Sequence, residues 1–317
     1  MSIDEFRLLA GSAHLADDCG PLVSIDDLDQ TDDVLLRDLR QLLGAEPCIV
    51  LGLDVHAATA EERATIEATV AAAPKASISA AVLLRGGTGT TDERLAKESA
   101  VYSLLQAGPE FAAWRATWAA RTRRAATHET KSEPPVLSHR DDTTLHVTLN
   151  RPTHGNAVSR ALRDGLCEAL SVALLDPDVM VTLDANGRNF CTGGDLDEFG
   201  SFPDPSTSHL LRLQRSPARM LSRLSNRLCT YVHGTCAGSG IEFAAFSHRV
   251  IARPGSTFLL PELALGLVPG AGGTVSIVDR IGAQRTLWML LTGHRIDVST
   301  ALDWGLIDAI EPEGNIT

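Results

Sequence analysis

Apolar runs too short to be helices alternate with stretches of helical length, and this alternation limits the chain to a small set of folds. Residues 48–53, 145–149 and 179–183 are bursts of Val, Leu and Ile, the pattern of buried strands. Residues 60–73 read as a helix capped at Thr59 and stopped before Pro74, and residues 160–174 read as another. A further apolar run at 80–84, ended by Gly86 and Gly87, is expected to be a strand. Two strand–helix–strand units follow, each about 33 residues from strand to strand, near the usual size of a βαβ crossover. The expected class is α/β, and the matched spacing raises a degenerate duplication of one βαβ unit. Residues 34–43 and most of 91–125 also read as helical, the latter with a break near Gly108 and Pro109. Asp26, Asp27, Asp29, Asp32 and Asp33 gather at the start of the first of these. Acidic groups there suit the helix dipole, so a solvated helix entry is preferred to a metal site. The polar, proline-bearing segment 131–135 marks a linker. It divides an N-terminal α/β region of unknown role, residues 1–135, from a second region, residues 136–317.

Composition narrows the function. The chain has 317 residues, enough for one large domain or a domain and a smaller one, and a net charge of -12. Such a balance, with no run of Lys and Arg, argues against nucleic acid as a partner. A phosphorylated small molecule stays compatible, because a few local Arg residues or helix N-termini suffice to bind one. Cys19, Cys48, Cys167, Cys191, Cys229 and Cys236 form no Cys-x-x-Cys pair and have no His cluster beside them. Free thiols in a reducing compartment are expected, with no disulfide framework and no metal site. Residues 1–9 carry Asp4 and Glu5 and lack a basic stretch before an apolar one, so no signal peptide is expected. No apolar run approaches the roughly 20 residues that cross a bilayer. The expected location is the cytoplasm, with no membrane partner.

Three stretches carry the chemistry. The first, residues 187–196, follows a strand and contains Gly193 and Gly194, which let backbone N–H groups approach a ligand. A simple turn after a strand is the alternative. The second, residues 231–244, runs from a short strand through a small-residue turn into a helix. Its unpaired N–H groups near Ser239 suit a developing negative charge. Tight packing of that helix on a strand is the alternative. The third, residues 257–274, sets Glu262 among apolar residues, where burial would raise its pKa toward the range useful for acid–base work. An ion pair with an Arg is the alternative.

Taken in order with Asn150-Arg151-Pro152, Asn156-Ala157 and the late Ala301…Trp304-Gly305-Leu306-Ile307-Asp308, these stretches resemble the motifs of the enoyl-CoA hydratase/isomerase (crotonase) superfamily over roughly residues 142–311. The resemblance implies a crotonase-like ββα spiral core that binds an acyl-CoA thioester. It implies an oxyanion hole from the N–H groups of Gly194 and Ser239, the second position being Gly in most members. Glu242 and Glu262 fall on the two acid–base glutamates of the hydratases. Arg151, Ala157, Gly193, Asp195 and Leu196 fall where the family contacts coenzyme A. The implied reaction is hydration of a 2-enoyl-CoA, with no cofactor beyond the coenzyme A of the substrate. The alternatives are another reaction of the superfamily, such as isomerisation, thioester hydrolysis or cofactor-independent dioxygenation, and a non-catalytic subunit of a heteromeric CoA enzyme. Met220, Leu221 and Leu224 read as a core-facing helix stripe near the acyl pocket.

The sequence departs from the family at both ends. Family members continue past the late motif with helices that cover the acyl pocket and help build the trimer. Here the sequence stops at Thr317, and roughly 135 residues stand in front of the core instead. Those residues are expected to supply the cover, within the chain or across a subunit interface; the alternative is that a heteromeric partner supplies it. A homo-oligomer, trimer or hexamer, is the expected assembly.

Overall fold

The fold is described by a computed structural model, for all residues except 12–19, 27, 29–31, 45, 123–132, 202–203 and 313–317. The expectations for Cys19, Asp27, Asp29 and the first residues of the linker fall outside the described residues.

Helix α1 (Ile3–Gly11), strand β1 (Leu22–Ser24), helix α2 (Asp33–Leu43) and strand β2 (Ile49–Leu51) open the chain. β1 and β2 pair in parallel, Val23 opposite Val50, and their side chains join Phe6, Leu39 and Leu43 in a small core of their own. Asp32 is the N-cap of α2 and accepts from Leu35 N at 2.8 Å, a helix entry as expected.

Four helices follow: α3 (Ala60–Ala72), α4 (Pro74–Arg85), α5 (Thr91–Gln106) and α6 (Pro109–Thr122). Thr59 with Glu62, and Thr90 with Glu93, form capping boxes that fix the starts of α3 and α5. The strand expected at 80–84 is the second half of α4, and the βαβ duplication falls with it. Two local facts favour helix. Pro74 sits at the first helical position, where its missing N–H costs nothing. Ala76, Ala80, Ala81 and Leu84 are buried at helical spacing, against neighbours far along the chain. The cap is also remote: the Glu110 carboxylate, at the start of α6, accepts from Lys75 N at 2.8 Å and Ala76 N at 3.0 Å.

The rest of the chain builds two sheets. β3 (Val136–Arg140) pairs antiparallel with β4 (Thr144–Leu149), which continues after helix α7 (Arg160–Leu175) into β5 (Met180–Ala185), parallel to it. Helices α8 (Pro205–Gln214) and α9 (Pro217–Leu224) lead to β6 (Leu228–Val232), β7 (Thr235–Ala237) and helix α10 (Ser239–Ala244). Next come β8 (Arg249–Ala252), β9 (Thr257–Leu259), helix α11 (Gly273–Thr292), β10 (Ile296–Asp297), helix α12 (Val298–Trp304) and β11 (Ala309–Ile310). The six-stranded sheet has the order β11-β8-β6-β5-β4-β3 and the three-stranded sheet the order β10-β9-β7. In β4 the burial alternates, with Leu145, Val147 and Leu149 inward, as a strand covered on one face requires. Of the stripe expected at Met220, Leu221 and Leu224 of α9, the two leucines are fully buried and Met220 packs half-buried against the core.

The larger hydrophobic core is continuous from Ile49 to Ile307, so α3 to α6 share it with both sheets. α3, α4 and α5 pack on α11, and α5 also packs on α8 and α9. The N-terminal helices therefore cover the face of the core on which residues 257–274 lie, and they do so within one chain.

Arg85, at the end of α4, ties this layer to the first four elements. Its guanidinium reaches both oxygens of Asp54, at 2.7 and 2.6 Å, and also donates to the carbonyls of Glu46 and Cys48. Both side chains are nearly buried, at 11% and 5% exposure. Removing one partner strands the other charge in the interior. We expect Asp54→Ala to lower the unfolding free energy by about 3–5 kcal/mol, read from urea denaturation. A loss below about 1 kcal/mol, the size of a surface pair, would contradict this role for the link.

Candidate active site

The loop after β5 and the turn before α10 run side by side. Cys191 and Cys236 form a parallel bridge, and Ala237 N donates to Cys191 O at 3.0 Å. This brings Gly193 and Gly194 next to Gly238 and Ser239. Among the described residues, neither Gly194 N nor Ser239 N donates a hydrogen bond within the protein. α10 has only six residues, so the free amides of its first turn, more than any long dipole, are what this turn offers an anion.

Two carboxylates face the same space. Glu242 sits on the first turn of α10 and is 1% exposed; Glu262 opens a 3-10 turn, Glu262–Leu265, and is 8% exposed. Glu242 Oε2 accepts from Ala271 N and Gly273 N, both at 2.8 Å. Both bonds fall on one oxygen, which leaves Oε1 to the cavity. Glu262 is held differently. A Cβ at residue 238 would lie 2.5 Å from Glu262 Oε1, so glycine at φ +47 is what lets the carboxylate pack under this turn. Glu262 Oε2 is buried without a hydrogen-bond partner among the described residues. A carboxylate oxygen left unpaired in the interior is costly, which favours its protonated form.

Burial pushes the Glu262 carboxyl up to about 8, with help from the negative charge of Glu98. Burial also raises Glu242 well above the ordinary carboxylate range, and repulsion from Glu262 and Glu98 adds to it. The Arg ion pair considered as an alternative for Glu262 is absent among the described residues.

A cavity of about 500 Å³ joins these groups. Gly193, Gly194, Asp195, Leu196, Ser239, Glu242 and Glu262 all line it. Arg151 and Ala157 stand behind the loop and are not among its lining residues. The Arg151 guanidinium donates to Ala157 O at 2.6 Å and to Asp195 Oδ2 at 3.0 Å, so its visible work is to hold the loop. Asn156 supports the same loop, donating to Asn186 O and Asn189 O at 2.8 and 2.9 Å.

Sequence reasoning missed the contribution of α5 and α8. Glu98, Ser99 and Tyr102 of α5 and Arg212 of α8 line the cavity, and Arg212 lies over the Tyr102 ring at 4.7 Å. A signal was present: Leu95, Glu98, Tyr102 and Leu105 share a buried stripe, and a glutamate on such a stripe needs a partner. Arg160, Arg163 and Arg215 also line the cavity, and an arginine in an ordinary polar stretch gave no such signal. Among the described residues Cys167, Cys191, Cys229 and Cys236 are free thiols, with Cys191 and Cys236 buried.

Adjacent strand–turn segments with free amides, two buried glutamates and one shared cavity define an α/β protein of the crotonase-like fold. The chain belongs to the enoyl-CoA hydratase/isomerase family, whose model matches residues 139–317. It is 34% identical over 178 residues to the 2,3-dehydroadipyl-CoA hydratase of Escherichia coli, covering 56% of this chain and 69% of that one. It is 33% identical over 178 residues to the enoyl-CoA isomerase/hydratase fer4 of Mycosarcoma maydis, over 53% of this chain and 65% of the relative. The chain thus spans about two thirds of the length of these relatives. Among solved structures, an enoyl-CoA hydratase from Mycobacterium smegmatis matches with a TM-score of 0.52 at 28% identity, over 56% of this chain and 70% of that one.

The raised carboxyls predict an unusual pH dependence of stability. Between the ordinary glutamate value of about 4.3 and the folded value of about 8, the unfolded chain has released the Glu262 proton and the folded protein still holds it. The folded state binds more protons in this window, so this group's contribution to stability is lost as pH rises through it. We expect Glu262→Gln to melt close to the wild type at about pH 4.5, progressively above it toward about pH 8, and by a constant margin beyond that. Thermal unfolding across pH checks this, and a difference that does not change with pH would refute it.

Proposed function

We propose that the protein is an acyl-CoA enzyme that hydrates a 2-enoyl-CoA to the 3-hydroxyacyl-CoA. The observation that carries the reading is the pair of buried carboxylates, Glu242 and Glu262, in the same cavity as the unpaired amides of Gly194 and Ser239. The thioester carbonyl accepts from the two amides, which stabilise the negative charge that builds on its oxygen. Glu242, whose bonds from Ala271 and Gly273 favour the ionised form against its burial, takes a proton from water through its other oxygen as that water adds to C3. Glu262 is protonated near neutrality and gives its proton to C2 as the enolate collapses. One water is consumed, and transfer of the proton from Glu242 to Glu262 through solvent restores the start. The apolar part of the cavity takes the acyl chain, and Arg160, Arg163 and Arg215 supply positive charge for the phosphates of coenzyme A.

A second reading is isomerisation of a 3-enoyl-CoA, in which one carboxyl shuttles a proton between C4 and C2. It is favoured by the asymmetry of the pair, since Glu242 is held by two amides and Glu262 Oε2 by nothing among the described residues.

The deciding measurement follows the conjugated thioester absorbance of crotonyl-CoA and of longer and aromatic 2-enoyl-CoAs. Hydration predicts its loss, with kcat reduced about 10²- to 10⁴-fold in Glu242→Gln and in Glu262→Gln. The rate should also fall as pH rises through about 8, where Glu262 loses the proton it donates. Gain of absorbance from a 3-enoyl-CoA, abolished in Glu262→Gln and retained in Glu242→Gln, would select isomerisation. A protein that binds these thioesters and turns over none of them would sink both readings.

A further inference from the structure

Four consecutive amides at the entry to α11 are shared alternately between two carboxylates. Ala271 N and Gly273 N donate to Glu242 Oε2, at 2.8 Å each. Gly272 N donates to Glu98 Oε1 at 2.7 Å, and Thr274 N donates to Glu98 Oε2 at 2.9 Å. The Thr274 hydroxyl donates to the same Oε2 at 2.6 Å. Glu242 comes from the core and Glu98 from α5, far earlier in the chain. Glu98 is only 2% exposed, and both its oxygens are spent on this one segment.

We propose that Glu98 is a positioning residue of the active site, which fixes the 271–274 segment in the register that lets two of its amides grip one oxygen of Glu242 and leave the other to the substrate. The proposal rests on the acid–base role given to Glu242 above. The physical reason is local. Successive N–H groups at a helix entry fan out in different directions, so a carboxylate on one side cannot satisfy them all. Without Glu98, Gly272 and Thr274 would lose their acceptor in a buried place, and the segment would turn to recover it. Gly270 and Gly272 offer little resistance to such a turn. The Glu242 oxygen would then move with its donors. Close packing holds α5 against the segment. A Cβ at residue 270 would lie 2.5 Å from the Tyr102 ring, so helix and loop meet at the closest distance glycine allows.

The charges around Glu98 are mixed. Burial pushes its carboxyl up to about 7, against the bonds from Thr274 and Gly272 and the charge of Arg212 of α8, which all favour the ionised form. Glu242 and Glu262 face it across the cavity and are themselves raised by its charge. Tyr102 lies on the same stripe of α5. Arg94, one turn earlier, pairs with Asp279 at 2.7 Å and also donates to the Val275 carbonyl.

The experiment compares wild type with Glu98→Gln and Thr274→Val. Amide hydrogen exchange is read at residues 271–274, and kcat, KM and the pH profile are read with crotonyl-CoA. An amide side chain keeps the shape but offers one acceptor oxygen in place of two and points N–H groups at donors. In Glu98→Gln we expect protection to fall at Ala271 and Gly273, whose N–H groups bond to Glu242, as well as at Gly272 and Thr274. We expect kcat to drop about 10²-fold with KM within about threefold, the signature of a displaced catalytic group. The alkaline limb of kcat/KM should move to lower pH, because a negative neighbour of Glu262 is gone; a merely structural residue would not move it. If Glu98→Gln does not fold, Thr274→Val removes the hydroxyl bond alone, and there we expect about a tenfold loss of kcat with the same selective loss of protection. Unchanged exchange at Ala271 and Gly273, with an unshifted profile, would overturn the proposal. If the wild type hydrates no enoyl-CoA, the hydratase reading fails, and the exchange data alone still decide the role of Glu98.

Discussion

The interaction on which the site depends is the grip of backbone amides on buried carboxylates at the entry to α11. A charged or partly charged carboxyl in an apolar interior is tolerable only when fixed dipoles replace the water it has lost. Ala271, Gly272, Gly273 and Thr274 provide those dipoles to Glu242 and Glu98. Glu262 receives no comparable help on Oε2 among the described residues, and its carboxyl is pushed up to about 8. One segment of main chain therefore distinguishes the two candidate acid–base groups, both raised by burial: the amides hold and orient Glu242, and no described group binds Glu262 Oε2. Pairs of carboxyls with contrasting surroundings are what acid–base chemistry near neutral pH requires.

The N-terminal helices make this arrangement possible. They pack over the cavity, bring Glu98 and Tyr102 to its wall, and help bury most of the 266–274 segment. Desolvation is what raises the carboxyls, so α5 shapes the chemistry of the core without having to touch a substrate. The same layer is anchored at its far end by the Arg85–Asp54 pair, which joins α4 to the small β1–β2 unit. Tertiary capping recurs through the layer: Glu110 serves the first amides of α4 as Glu98 serves those of α11. In both cases a helix start that the local sequence leaves uncapped is completed by a glutamate from another helix.

Much of this fold is legible in the sequence because it is set by near neighbours. Thr59 with Glu62 and Thr90 with Glu93 mark helix starts through contacts between residues a few positions apart. The alternation at Leu145, Val147 and Leu149 marks a strand through burial on one face. The error at 80–84 is of the opposite kind. An Ala–Val–Leu run of that length fits a strand or a buried helix equally well, and what chose helix was packing on α11 together with a cap from Glu110. Local periodicity carries no information about either.

The candidate site divides the same way. The motifs from Asn150 to Asp308, through their resemblance to the family, point to Gly194, Ser239, Glu242 and Glu262 from sequence alone, because short strands and glycine turns are local features. They also place Arg151 among the coenzyme A contacts, and only the folded chain shows its guanidinium closed on Ala157 O and Asp195. Sequence set the residue types and the turns that carry them. Tertiary structure set which groups lose water together, and it brought Glu98 to amides of the distant 271–274 segment. Desolvation and through-space charge depend on neighbours in three dimensions, and chain order does not record them.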